Sequence, residues 1–199
     1  MVGTITKYRA LLNKAMDDTI VTDGKGSESG GIEKAIELVS REALGCDNRG
    51  GEVIFIGNGG SAAICNHCAV DWWKNGEVKT RIFYGDSQLT CLANDYGYEH
   101  VFSKPVGDYG KKDDLLIAIS SSGKSANILY GVKAARDIGM KVITLSGFSG
   151  DNPLRSMGDI NIYVPSMEYG FVELVHQIIL HAVSDSFEEM RSLNQITLD

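Results

Sequence analysis

Positive charge is scarce in this chain: 19 Lys and Arg stand against 26 Asp and Glu, a formal net charge of -7 over 199 residues. The mean field of such a chain repels a phosphate backbone or an anionic lipid surface, which argues against nonspecific binding to nucleic acid or to a membrane. Long apolar runs are missing too, since no window approaches the ~18 apolar residues of a spanning helix. The first residues, Met1 to Lys7, show neither an apolar core segment nor a small-residue cleavage site, so a cytoplasmic location is expected. Four cysteines, Cys46, Cys65, Cys68 and Cys91, are too few and too clustered for a secreted disulfide framework, and free thiols are expected. Only three prolines, Pro105, Pro153 and Pro165, punctuate the chain, each near an apparent turn, and no internal repeat or low-complexity tract is present.

What is there is ordinary globular material. With 43% hydrophobic and 23% charged residues, the chain can bury a sizeable core as one domain over 1–199. Apolar positions at three-and-four spacing predict two leading helices, from about Ile5 to Asp18 and Gly31 to Leu44, an extension of about 48 residues. The polar, glycine-rich stretch Thr22 to Gly31 between them reads as a flexible link. Beyond Gly50-Gly51 come five short apolar runs: Val53–Ile56, Thr80–Tyr84, Leu115–Ile119, Lys141–Leu145 and Ile160–Val164. Helical patterns separate them, which predicts βαβ units. Runs apolar throughout suit strands covered on both faces, so the expected fold is α/β, a three-layer α/β/α sandwich around a five-stranded parallel sheet. A last helix is expected from Gly170 to Leu193, with a stripe through Val172, Leu174, Val175, Ile178, Ile179 and Val183.

Two turns carry the chemistry. The strand Leu115–Ile119 runs into Ser120-Ser121-Ser122-Gly123-Lys124-Ser125 and then into a helix. Free backbone N–H groups and the positive end of the helix dipole converge at such a place, and four hydroxyls add donors, which suits a phosphate. A plain helix cap by Ser122 or Ser125 is the competing reading. Lys124 either adds charge or points to solvent. Earlier, Val53–Ile56 meets Gly57-Asn58-Gly59-Gly60-Ser61 at another helix start. No Gly-Lys-Ser/Thr closes this second turn, and its glycines imply only close approach of a backbone or ligand.

Taken in order, Gly57-Asn58-Gly59-Gly60-Ser61, His67, Asn94-Asp95, Ser120 to Asn127 and Lys141 to Leu145 resemble the sugar isomerase (SIS) domain. Within that superfamily, with His67 and His181, the chain is similar to the bacterial phosphoheptose isomerases over nearly its whole length. The resemblance implies the SIS fold and conversion of D-sedoheptulose 7-phosphate to D-glycero-D-manno-heptose 7-phosphate for surface-glycan heptose. It implies a homotetramer with active sites at subunit interfaces. It also implies a divalent metal, zinc in the usual family form, held at His67, Asp71, Glu173 and His181. Asn58, Gly59, Gly60, Ser61, Asn94, Asp95, Ser120, Ser121, Ser122 and Ser125 are the implied substrate contacts. Two positions depart from the family pattern, Asp71 for its Glu and Glu173 for its Gln.

Spacing is compatible with that set. His67 and Asp71 lie one helical turn apart on one face, and Glu173 and His181, eight apart, differ by roughly 80° around a helix. Aldose–ketose interconversion through an enediol needs a base that moves a proton between adjacent carbons and a second group for the hydroxyl proton. The family pattern assigns Asp71 as base and His181 as acid or ligand. Asp is one methylene shorter than Glu, enough to displace a base by about 1 Å and to cost on the order of a hundredfold in rate. Glu173, as base or added ligand, is the expected compensation.

Other readings stay open. Cys65-Asn66-His67-Cys68 contains a Cys-x-x-Cys pair, but no second pair accompanies it to form a zinc knuckle. His176, one turn from Glu173, could enter the site, and His100 is expected to be exposed or interfacial. Isomerases of other sugar phosphates share the serine turn, as do regulatory SIS domains that bind sugar phosphates as signals and relatives that bind the replication initiator as tetramers.

Overall fold

A computed structural model describes residues 4–196; the first and last three residues of the expected 1–199 domain lie outside them. Two helices open the chain, α1 (Ile5–Asp17) and α2 (Ile32–Asn48). The α/β core follows: β3 (Val53–Ile56), α3 (Gly60–Lys74), β4 (Thr80–Arg81), α4 (Asp86–Tyr96), α5 (Ser103–Tyr109), β5 (Leu115–Ser120), α6 (Ala126–Ile138), β6 (Lys141–Ser146), β7 (Ile160–Tyr163) and α7 (Tyr169–Ile196). Strands β4-β3-β5-β6-β7 pair in parallel, the five strands read from the sequence.

Strand residues alternate between two apolar layers. Val53 and Phe55 of β3, with Leu115, Ile117 and Ile119 of β5, pack into a cluster with α2, α3 and α7. Ile54, Ile56, Leu116 and Ala118 face the opposite way, onto α5 and α6. All nine are 0% exposed. Full burial on both faces is why these runs lack a polar alternation and why the sheet is parallel and sandwiched.

Two expectations need correction. The stretch Thr22 to Gly31 is not a flexible link: it contributes to a hairpin of β1 (Ile20–Asp23) and β2 (Glu28–Gly30), and β1 pairs antiparallel with β7, making a seven-stranded sheet. The Asp23 carboxylate accepts from the backbone N–H groups of Lys25 and Ser27, both at 2.8 Å, which holds the turn. Val21 of β1, flanked by β2 and β7, is completely buried. The run Thr80–Tyr84 pairs only through Thr80 and Arg81, against Val53 and Ile54. Its remainder leaves the sheet edge, where Phe83 packs into the α5–α6 layer.

Candidate active site

Strands β3 and β5 are neighbours, yet the chain leaves β3 for α3 on one face and β5 for α6 on the other. A crevice opens outside the carboxyl ends of strands at such a switch in direction, the usual ligand position in α/β sheets. Here it is a cleft of about 250 Å³ between the two turns. Asn58, Gly59, Gly60 and Ser61 form one side and Ser120, Ser121, Ser122 and Ser125 the other. A reciprocal amide pair, Asn58 with Asn127 at 2.9 Å in both directions, ties the turns together.

The serine turn closes on itself. The Gly123 N–H donates to Ser120 O at 3.0 Å and approaches its Oγ at 3.2 Å. Gly123 has φ 62°, and a Cβ there would fall 1.9 Å from Asn152 Oδ1, so no other residue fits. Ser125 occupies the N-cap of α6, but its side chain makes no capping bond; its Oγ lies 3.4 Å from that of Ser120. That removes Ser125 from the simple capping reading and leaves its hydroxyl for the cleft. Ser121 is 4% exposed and its Oγ has no hydrogen-bond partner. A buried, unsatisfied hydroxyl costs free energy unless something fills its place, so this one argues for a polar ligand. Lys124 is exposed and does not line the cleft.

Across the cleft stands α7. Glu173 packs directly over Gly60: a Cβ at that position would lie 2.5 Å from the carboxylate. Gly60 is the first residue of α3, and no side chain caps that helix, so the Glu173 charge sits where the α3 dipole favours an anion. Tyr169, one turn earlier on α7, also lines the cleft.

Farther along the same two helices, three side chains converge. Asp71 Oδ2 lies 3.2 Å from His67 Nε2 and 3.5 Å from His181 Nδ1, and the two imidazole rings meet edge to face at 5.0 Å. One ligand atom from each falls within 4.8 Å of the others. Donor atoms bound at about 2.0–2.2 Å to one ion stand at such separations, and two nitrogens with a carboxylate oxygen suit zinc with a coordination position left over. The residues fit a divalent metal. Glu173 is not part of this convergence; eight residues before His181, it sits about 12 Å back along α7, toward the cleft.

Other expected residues fall elsewhere. Asn94 and Asp95, on α4, are exposed and do not line the cleft; Asn94 Nδ2 donates to Asp95 and Cys91 Sγ to Asp95. His176 is fully buried, its Nε2 3.2 Å from Ser146 O, and burial lowers its pKa to about 4. His100 is partly buried against Tyr130 and within 3.2 Å of Ser103 Oγ. Cys65 and Cys68 are free, buried thiols that desolvation pushes up to about 12, the setting of packed rather than reactive cysteines. Asn127, quoted only as part of the family motif, and Tyr169, one residue before the expected start of the last helix, were not among the expected site residues. A second cavity of about 270 Å³ lies at the amino ends of β5 and β6, away from the switch point.

Residues 18–147 match the SIS domain family. The phosphoheptose isomerase of Campylobacter jejuni subsp. jejuni serotype O:6 is 35% identical over 166 residues, 80% of this chain and 87% of the relative. A solved phosphoheptose isomerase from Neisseria gonorrhoeae superimposes with a TM-score of 0.78 at 32% identity, covering 92% of this chain and 97% of that one. One from Francisella tularensis gives 0.78 at 30%, covering 93% and 96%.

Proposed function

The chain belongs to the phosphoheptose isomerases of the SIS domain family, and on that premise we propose that it converts D-sedoheptulose 7-phosphate to D-glycero-D-manno-heptose 7-phosphate in heptose biosynthesis. The observation that carries this is the pairing, along α3 and α7, of a phosphate cleft carrying a carboxylate with a His–Asp–His cluster. A binding module needs only the first.

The roles divide by position. Ser120, Ser121, Ser122 and Ser125, with the uncapped start of α6, hold the phosphate; Asn58, Gly59, Gly60 and Ser61 bound the sugar chain. His67, Asp71 and His181 would hold the divalent metal, zinc by their donor chemistry, which would supply a Lewis acid at the far end of the cleft. Glu173 lines the cleft, whereas Asp71 is held between two imidazoles, so Glu173 moves the proton between adjacent carbons and Asp71 serves as ligand. His181 holds metal or relays the hydroxyl proton. Asn94 and Asp95 would reach substrate only across a subunit interface. Assembly as a homotetramer is supported by Val70 and Trp73, 52% and 64% exposed on α3 beside His67. A cytoplasmic location belongs to the same proposal; among the described residues no helix is long and apolar enough to cross a membrane.

Glu173→Gln tests the division. The expected result is a loss of turnover of about a hundredfold or more with metal content retained. Unchanged turnover returns the base to Asp71.

A further inference from the structure

We infer that Tyr169 contacts the substrate and sets its chain-length preference, with Phe148 as the positioning residue that holds its ring. The inference rests on the reading that the cleft takes a sugar phosphate.

Tyr169 opens α7 on the wall of the cleft facing the serine turn, and it is 61% exposed. An aromatic ring held this far out forgoes most of the burial that normally stabilises it. It is nevertheless held. The Phe148 ring meets it edge to face at 4.7 Å, and Phe148 itself has φ 56°, a conformation foreign to a bulky side chain. The surroundings enforce that strain: the Phe148 N–H donates to Ser166 O at 2.9 Å, and the Tyr163 hydroxyl donates to Phe148 O at 2.7 Å. On the other side of the same turn of α7, Tyr8 packs on Phe171 at 4.8 Å and against Gly170. The start of α7 is thus wedged between α1 and the segment after β6. Strain kept in a fold at a ligand cleft is a mark of pre-organisation.

The chemistry follows from the two walls. A phosphate on the serine turn, where the buried Ser121 hydroxyl awaits a partner, leaves the carbon chain to run past Tyr169 and Glu173. The phenol can donate to or accept from a chain hydroxyl, and the ring face suits its C–H groups. A longer ketose phosphate offers such groups beyond the reacting carbons; a five-carbon one offers fewer.

The test is the kinetics of Tyr169→Phe, Tyr169→Ala, Phe148→Gly and Phe148→Tyr with sedoheptulose 7-phosphate and with ribulose 5-phosphate, alongside thermal melts. Tyr169→Phe is expected to raise KM about fivefold with kcat within about twofold, the signature of one lost ground-state hydrogen bond. Tyr169→Ala should raise it further and narrow the preference for the seven-carbon substrate. Phe148→Gly suits φ 56° and so keeps the fold, but should raise KM as Tyr169→Ala does, while Phe148→Tyr, which keeps the ring, restores it. If Tyr169→Ala does not fold, Tyr169→Phe and Phe148→Gly decide. A wild-type enzyme that turns over while all variants keep KM within about twofold overturns the inference alone. A wild-type protein that neither binds nor converts a sugar phosphate overturns the reading beneath it as well.

Discussion

Ser121 is the residue at which fold and function part most cleanly. Its hydroxyl is buried and has no partner within the protein, so removing it breaks no hydrogen bond of the folded chain and, on the proposed reading of the cleft, takes one donor from a bound phosphate. Ser121→Ala should leave thermal stability unchanged or slightly raised. It should also weaken sugar-phosphate binding about tenfold or more, as expected for a hydrogen bond to a charged group; calorimetric titration beside a melt checks both. His176 is the opposite case, a residue of the fold alone. Burial lowers its pKa from 6.5 to about 4, so the unfolded chain takes up a proton before the folded one does. Its contribution is therefore intact above pH 6.5 and lost as pH falls toward 4, by up to about 3 kcal/mol. Denaturant unfolding at pH 7.5 and 4.5 should show a smaller drop in His176→Phe than in the wild type. At this scale the sequence was readable wherever residue type and local spacing carry the chemistry. The serine turn, His67 with Asp71, and His181 are such cases. Whether His176, three residues along α7 from Glu173, faces the cleft or a strand was not readable, because helical spacing leaves both faces open until the sheet is in place.

At the scale of elements, the His–Asp–His cluster depends on the register between α3 and α7, and Trp72 sets that register. Its side chain is 0% exposed, lies edge-on to Phe55 and Phe187 at 5.1 Å each, and its Nε1–H donates to Leu180 O at 3.0 Å, one residue before His181. Trp72→Phe removes that bond and leaves a void. It should cost about 2 kcal/mol, a fall of roughly 4–8 °C in Tm. It should also weaken metal binding although no ligand is touched. A melt that falls with metal affinity unchanged would separate the register from the site. The helices and inner strands were legible because their periodicities are local. The β1–β2 hairpin was not, since β1 finds its partner in β7 about 140 residues away and its Gly, Ser and Asp residues look locally like a link. The brevity of β4 was hidden for a similar reason: Ile82 to Tyr84 are apolar to pack beneath other elements, not to pair.

At the scale of the whole molecule, the net charge of -7 and a cleft rich in hydroxyls but poor in cations require an anionic substrate to be held by backbone dipoles and hydroxyls. A sugar-phosphate site can exist on these terms in a regulator as well as in an isomerase. The separating feature is the His–Asp–His cluster, joined to the cleft by α3 and α7, whose side chains fit a divalent metal. The most direct measurement is therefore turnover of sedoheptulose 7-phosphate by the purified protein, before chelation, after chelation and after zinc is restored, with sugar-phosphate binding followed in parallel. Conversion to the aldose that is lost with chelator and regained with zinc, the fold persisting throughout, is the predicted result. A metal-replete protein that binds the sugar phosphate and never converts it would contradict the account.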